Sequence, residues 1–176
     1  MYNEMLNMRG QKVRNLYKNL DNWLSDQNIN SLMSQSIKAE ELFRKVGITF
    51  NVYGEDEAEE RLIPFDLMPR IIDSKEWGFI EKGITQRLIA LNMFLEDIYS
   101  KQNIVKENII PSKLINNNAA FLPEMCDFKP PGGIYTHISG IDLVRTSEKN
   151  FFVLEDNLRV PSGASYMIEN RSTMMH

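Results

Sequence analysis

Two stretches within the first 46 residues have apolar side chains that recur every three or four positions. The first stretch, residues 12–25, predicts an amphipathic helix. Its apolar stripe consists of Val13, Leu16, Tyr17, Leu20, Trp23 and Leu24. The second predicts a helix that begins near Asn30 or Ser31 and runs to Val46, with Gly47 at the position after a helix end where glycine is favoured. We therefore expect a front helical hairpin over residues 1–46, whose role is packing.

The longest helix is predicted in the middle of the chain. Asp73 and Glu76 have the spacing of a capping box, and helical periodicity continues from there to about Gln102. The predicted buried face consists of Trp77, Ile80, Ile84, Leu88, Leu91, Leu95 and Ile98. Gly78 and Gly83 each cost this helix about 1 kcal/mol relative to alanine. Their presence predicts either close packing or a break in the helix.

Strand patterns occupy the rest of the chain. Residues 48–53 alternate apolar and polar side chains, and residues 103–133 are mostly connection. Two further strands are predicted at Ile134–Thr146 and Phe151–Leu158, joined by the hairpin loop 147–150. The predicted fold is therefore α/β, of the α+β kind: a helical hairpin, a long central helix and a mainly antiparallel sheet.

Composition narrows the class of protein. The chain has 176 residues with a net charge of −4, and its acidic excess lies after residue 46. Phosphate binding favours a basic face, so nucleic acid is not an expected partner. No apolar run is long enough to span a membrane, the N-terminal residues are too polar for a signal peptide, and the single Cys126 suits a reducing compartment. We expect a cytoplasmic protein without a membrane partner.

The hairpin loop suggests a register that places acidic side chains together. If four residues close the loop symmetrically, Thr146 faces Phe151 and Asp142 lies directly opposite Glu155, with Asn157 on the same face. Directly opposed like charges are destabilising. The flanking positions on both faces are apolar, so we expect both faces of the hairpin to be buried. A hard cation such as Mg²⁺, which binds carboxylate and amide oxygens, would offset this cost. The alternative is a solvated edge hairpin whose carboxylates pair with Lys or Arg; a shift of one residue would move Glu155 to the other face.

Phosphate-binding candidates follow the second strand. Arg159 continues the same strand face, and its guanidinium can bind a phosphate oxygen pair. Ser162 or Ser165 could cap a helix that runs to the C-terminus, and a helix start beside a metal site binds anions. Arg159 and Ser162 are therefore the candidate cofactor-binding residues.

Short motifs that occur together in one known family are spread over nearly the whole chain. They are Gly47 to Gly54, Pro64-Phe65-Asp66, Pro69 to Ile72, Gln86-Arg87, Ala90-Leu91-Asn92, Phe94-Leu95, Asp97-Ile98-Tyr99, Gly140 to Arg145 and Val153 to Gly163. The last motif is the most specific. Together they resemble the circularly permuted ATP-grasp type 2 family, which is similar to glutathionylspermidine synthetase.

That resemblance implies an ATP-dependent carboxylate–amine ligase. In such enzymes ATP phosphorylates a carboxylate, and an amine then attacks the acyl phosphate to form an amide bond. The implied cofactors are ATP and Mg²⁺. The implied substrates are a small-molecule or peptide carboxylate and an amine.

The resemblance also implies a set of metal ligands. The family pattern of an Asp on one strand and Glu-x-Asn on the next falls on Asp142, Glu155 and Asn157. The synthetase has an Arg two residues before the metal Asp, whereas this chain has Gly140. Arg159 is therefore the candidate catalytic residue that contacts phosphate in its place.

The resemblance implies a family domain that is longer than this chain, with nucleotide-binding lysines beyond the position of His176. We accordingly expect 1–176 to be one incomplete domain: a helical segment 1–46 and an ATP-grasp-like portion 47–176 that carries the metal-site hairpin 134–159. Such a front portion, an excised fragment or an interrupted reading frame, would not hold ATP by itself and would be inactive alone. It would also self-associate through uncovered apolar surface. The alternative function is a non-catalytic metal-binding or interaction module derived from such an enzyme.

Overall fold

The computed structural model describes residues 2–6, 12–51 and 60–175, and it divides into two compact units. The first unit comprises Met1–Asp73, Asp142–Glu155 and Pro161–His176. The second comprises Ser74–Ile141 and Asp156–Val160. The helices are α1 (Lys18–Ser25), α2 (Ile29–Val46), α3 (Ser74–Ile98), α4 (Asn103–Lys106), α5 (Lys113–Asn116) and α6 (Gly163–Met174). The strands are β1 (Thr49–Asn51), β2 (Glu60–Leu62), β3 (Gly140–Arg145) and β4 (Phe151–Asn157).

The two helices predicted before Gly47 are confirmed, although α1 begins at Lys18 rather than near residue 12, and both ends of α2 are set by local chemistry. The side chain of Asn28 accepts the amide N–H of Asn30 at 2.8 Å, which caps the start of the helix. At the other end, Gly47 adopts a left-handed conformation with φ of 76°. The amide of Ile48 then donates to the carbonyl of Phe43 at 2.9 Å, as in a Schellman motif. The prediction that Gly47 ends the helix is confirmed.

Aromatic side chains form the core of the first unit. Phe43 is 1% exposed and meets Phe65 edge to face, with ring centroids 5.2 Å apart. Tyr17, in a short 3-10 turn before α1, is 3% exposed, and its hydroxyl accepts the amide N–H of Ile71 at 3.0 Å. The Tyr17 hydroxyl therefore satisfies the amide N–H of Ile71, while the ring packs in the core.

The strand predicted after Gly47 is confirmed within the described residues. Strand β1 pairs antiparallel with β2, Thr49 lying opposite Leu62. The remainder of the predicted strand, Val52 and Tyr53, and the acidic stretch 55–57 lie outside the described residues.

The long helix of the second unit is confirmed, but it ends about four residues earlier than predicted. Gln102 takes a left-handed conformation, φ 53°, and its amide donates to the carbonyl of Asp97 at 2.7 Å. Ile80 and Ile98 are buried as expected, whereas Trp77 is 53% exposed, so its assignment to the buried face is wrong. The prediction that Gly78 and Gly83 mark close packing or a break in the helix is also wrong.

Neither helix glycine lies in a tight or broken segment. A methyl group added at Gly78 or Gly83 would meet no atom of the described residues within 4 Å, and α3 runs through both positions without interruption. Close packing and a break are therefore both excluded as reasons for these glycines. The structure gives no other reason for them.

The strand predicted from Ile134 begins only at Gly140, because α3 binds the backbone that precedes it. The side-chain carbonyl of Asn92 accepts the amides of Tyr135 at 2.8 Å and Thr136 at 3.3 Å. These amides are therefore satisfied by a helix side chain rather than by a neighbouring strand. Tyr135 also stacks on Tyr99, with centroids 6.2 Å apart, beside a cluster of buried residues around Ile98.

The mixed fold class is confirmed. In the part of the chain that the structure describes, the strands form two separate two-stranded sheets, β1–β2 and β3–β4. The prediction of one incomplete domain stays a prediction.

Candidate metal centre on the β3–β4 hairpin

The hairpin closes through a loop one residue shorter than predicted. The amide of Thr146 donates to the carbonyl of Asn150 at 3.1 Å, so three residues lie between them. Arg145 rather than Thr146 accordingly lies across from Phe151, and its guanidinium carbon is 4.9 Å from the centre of that ring. The predicted facing of Thr146 and Phe151 is therefore wrong.

Arg145 provides the physical reason for this closure. Its Nε donates to the carbonyl of Ser147 at 3.1 Å, and its Nη2 donates to the carbonyl of Glu148 at 2.6 Å. The side chain is only 3% exposed and also forms an ion pair with Glu4, whose Oε2 lies 3.4 Å from Nη1. The guanidinium thus draws the loop backbone over the end of β3 and shortens the turn.

Exposure differs between the two faces of the hairpin. Leu143, Arg145, Phe151 and Val153 are half-buried. The intervening side chains are open to solvent: Val144 is 41% exposed, Phe152 58% and Leu154 71%. The expectation that both faces are buried is therefore wrong.

The carboxylates of the predicted metal set lie in solvent. Asp142 and Glu155 are exposed and belong to the first unit, whereas Asn157 is half-buried and belongs to the second. Leu154 and Glu155 are both exposed, so the simple alternation of β4 ends there. The prediction that Asp142 lies opposite Glu155 assumed a four-residue loop, whereas the loop has three residues. The loop therefore no longer supports that pairing. The set itself stays a prediction.

The predicted set, with its amide, differs from a metal site built of His, Cys, Asp or Glu side chains alone. Among residues 2–6, 12–51 and 60–175, no group of three or more His, Cys, Asp or Glu side chains is arranged to hold a metal ion. The predicted set has two carboxylates and one amide. Its three oxygen-bearing side chains match the chemistry that Mg²⁺ prefers.

The best-defined polar contact near the predicted metal set was not predicted from the sequence. Asp156, between Glu155 and Asn157, receives two hydrogen bonds from Arg87 of α3: Nε to Oδ1 at 2.7 Å and Nη2 to Oδ2 at 2.6 Å. These bonds hold the pKa of Asp156 below its ordinary value of 3.8, while burial acts in the opposite direction. The motif Gln86-Arg87 contains this arginine, but nothing in the motif indicates that Asp156 is its partner.

The two phosphate-binding candidates are accessible. Arg159 is exposed and follows β4 in the second unit. Ser162 is exposed at the N-cap position of α6, and its carbonyl accepts the amide of Ser165 at 3.1 Å. The predicted C-terminal helix is confirmed and begins at Gly163. In the described chain the Ser162 side chain makes no cap hydrogen bond, so its hydroxyl is not used by the helix end.

A separate cleft of about 660 Å³ lies within the first unit. Its lining residues are Trp23, Gln35, Lys38, Ala39, Glu41, Leu42, Lys45, Phe65, Leu67, Thr173 and Met174. The lining combines apolar groups with two lysines and contains none of the predicted metal or phosphate ligands.

In the part of the chain that the structure describes, no helix is both long enough and apolar enough to cross a membrane.

Comparison with known proteins links the chain to one family and to longer relatives. The model of the family described as circularly permuted ATP-grasp type 2 matches residues 69–176. An uncharacterized protein of Synechocystis sp. is 46% identical over 155 residues, which are 88% of this chain and 32% of that protein. An uncharacterized protein of Mycobacterium leprae is 42% identical over 173 residues, 98% of this chain and 30% of that protein.

A third relative carries an activity in its name. A Frankia casuarinae protein named "Putative glutamate--cysteine ligase 2-2" is 42% identical over 125 residues, 71% of this chain and 14% of that protein. The chain therefore spans about a third of the length of the first two relatives and less of this one.

Proposed function

Because the chain belongs to the circularly permuted ATP-grasp type 2 family, we propose that it is the N-terminal portion of an ATP-dependent carboxylate–amine ligase. The observation that carries this proposal is the family match over residues 69–176, which includes Asp142 and the Glu155-Asp156-Asn157 motif. In the proposed reaction the terminal phosphoryl group of ATP passes to a carboxylate oxygen. An amine then attacks the acyl carbon, and phosphate leaves as the amide forms.

Asp142, Glu155 and Asn157 are the proposed ligands of Mg²⁺. The exposure of both carboxylates supports this role, because a metal that also binds nucleotide phosphates must be reached from solvent. When bound, Mg²⁺ supplies positive charge that offsets the charge developing on the transferred phosphoryl group. The protein side chains supply the oxygens that fix its position.

Arg159 and Ser162 are the proposed phosphate-binding groups. Both side chains are exposed. A guanidinium can hold two phosphate oxygens, and the Ser162 hydroxyl, which makes no cap hydrogen bond in the described chain, can add a further donor. Arg159 is the proposed catalytic residue, since it would contact the reacting phosphate.

The proposed substrates are a small-molecule or peptide carboxylate and an amine. The name of the Frankia casuarinae protein supports amide-bond ligation as a class. Because the match covers only 14% of that protein, the name does not define the substrate pair for this chain. Nucleic acid is not a proposed partner, in keeping with the net charge of −4.

The first test is metal binding by the 176-residue chain. We expect 10 mM Mg²⁺ to raise the wild-type melting temperature, because a ligand that binds only the folded state stabilises it. The shift should vanish in Asp142→Asn and persist in Glu107→Gln, which removes an exposed carboxylate elsewhere. A wild type that shows no shift would contradict the metal site.

The second test uses a complete relative. We expect the full-length Synechocystis sp. protein to release ADP from Mg²⁺-ATP only when both a carboxylate and an amine are supplied, and to lose this activity when its equivalent of Asp142 becomes Asn. The 176-residue chain alone should show no turnover. Metal binding without ATP consumption in the relative would favour the alternative function, a non-catalytic metal-binding module.

A further inference from the structure

The Arg87–Asp156 ion pair lies inside the motif that carries two of the proposed metal ligands. Asp156 is covalently joined to Glu155 on one side and to Asn157 on the other. Its side chain is 17% exposed and that of Arg87 is 42% exposed, and both residues belong to the second unit. Neither Arg87 nor Asp156 is a proposed metal ligand.

The geometry of this pair restrains both the position and the orientation of the Asp156 carboxylate. Two parallel bonds, 2.7 Å and 2.6 Å, join the planar guanidinium to the two carboxylate oxygens. Such a fork restricts rotation as well as distance, which a single contact does not. Asp156 is joined to Glu155 and Asn157 through the backbone, so a fixed Asp156 carboxylate also restrains the backbone that carries these two neighbours.

Arg87 lies on a long, anchored helix, which can restrain the end of β4. Helix α3 is 25 residues long and is anchored at its C-terminal part by the cluster around Ile98. Another ion pair of the same unit differs in kind. Lys129 and Glu96 meet through one contact of 3.4 Å, and their side chains are 74% and 49% exposed. A contact of that type adds little order.

We infer that Arg87 is a positioning residue for the proposed metal centre, acting through Asp156 to fix the end of β4 that carries Glu155 and Asn157. This inference rests on the proposed function, since it assigns Arg87 to the same site. Partners that orient metal ligands without touching the metal typically change metal affinity by about 10- to 100-fold when they are removed.

The experiment titrates the 176-residue chain with Mn²⁺ alone and measures free Mn²⁺ by electron paramagnetic resonance. Wild type is compared with Arg87→Ala and Arg87→Lys at a temperature at which thermal melting shows every variant folded. We expect Arg87→Ala to weaken Mn²⁺ binding by about tenfold or more. Arg87→Lys keeps the charge without the two-pronged contact, and we expect an intermediate affinity.

Two controls separate positioning from general stability and from surface charge. Asp97→Asn perturbs another polar contact of the second unit, where Asp97 accepts the amides of Asn103 and Ile104. Lys129→Ala removes a cation of the same unit. Both controls should bind Mn²⁺ as wild type does, whatever their melting temperatures.

The outcomes distinguish this inference from the function on which it rests. Wild type that binds Mn²⁺ while Arg87→Ala binds equally well would overturn the role of Arg87 and leave the metal site standing. An equal loss of affinity in Asp97→Asn would also overturn it, since stability alone would then explain the effect. Wild type that binds no Mn²⁺ would contradict the metal site itself, and the role of Arg87 would fall with it.

Discussion

Asn92 of α3 holds the backbone of Tyr135 through a hydrogen bond of 2.8 Å, across 43 positions of the sequence. The same side chain donates from Nδ2 to the carbonyl of Leu88 at 3.0 Å and to Oγ1 of Thr136 at 3.1 Å. One amide therefore joins a helix to the segment that leads into β3.

Replacing Asn92 by Ala should destabilise the second unit. The substitution leaves the amides of Tyr135 and Thr136 without their acceptor in a half-buried position, which costs about 1–3 kcal/mol. The measurement is urea denaturation followed by tryptophan fluorescence and circular dichroism. Asn116→Ala, an exposed asparagine of α5, is the matched control and should change stability by less than about 0.5 kcal/mol. Equal stability of the two variants would contradict the role of Asn92.

Replacing glycine by alanine should have opposite effects at Gly47 and Gly78. Gly47 has φ of 76°, so a Cβ there is strained by about 1 kcal/mol even though no atom of the residues that the structure describes lies within 4 Å. Gly78 lies in α3 with open space around it, and alanine should stabilise that helix by about 1 kcal/mol. Thermal melting of both variants tests the difference, and a Gly47→Ala variant that melts above wild type would contradict the strain argument.

Asp97 should make stability depend on pH in the acidic range. Hydrogen bonds from the amides of Ile104 and Asn103 lower the pKa of its carboxyl below the ordinary value of 3.8, in that order of importance, while burial opposes them. A lowered folded pKa means that the stabilisation is complete above the unfolded value and is lost as pH falls through the folded value.

The measurement for Asp97 compares the unfolding free energy of wild type and Asp97→Asn between pH 7 and pH 2. We expect wild type to be more stable at pH 7 and the difference to shrink below about pH 4. A difference that stays constant over this range would show that the charged form of Asp97 is not the stabilising one.

The exposed apolar face of the β3–β4 hairpin should promote self-association. Val144, Phe152 and Leu154 expose 41%, 58% and 71% of their surface on this face. Contiguous exposed apolar surface favours association in water. Sedimentation velocity should show a concentration-dependent increase in size for wild type and a smaller one for Phe152→Ser. Lys149→Ser, in the loop, is the control. A wild type that stays monomeric at high concentration would contradict this expectation.

The sequence predicted correctly those helix and strand ends that depend on residues nearby in the chain. The Gly47 helix end follows from its own conformational freedom, and β4 ends within one residue of its predicted limit. The start of β3 could not be predicted, because Asn92 satisfies the preceding amides from a distant helix. The Arg87–Asp156 pair spans 69 positions, and charge pairing over that separation leaves no periodic pattern in a sequence.

Arg145 holds the hairpin loop by the carbonyl oxygens of Ser147 and Glu148, and every amino acid supplies such an oxygen. The loop can therefore change its side chains through evolution or engineering and still be drawn over β3 in the same way. It is a suitable place to attach a reporter group on the hairpin that carries the proposed metal ligands. A fluorophore linked through Lys149→Cys, in a background that carries Cys126→Ser because Cys126 is exposed, would label this loop alone while the guanidinium keeps the turn closed.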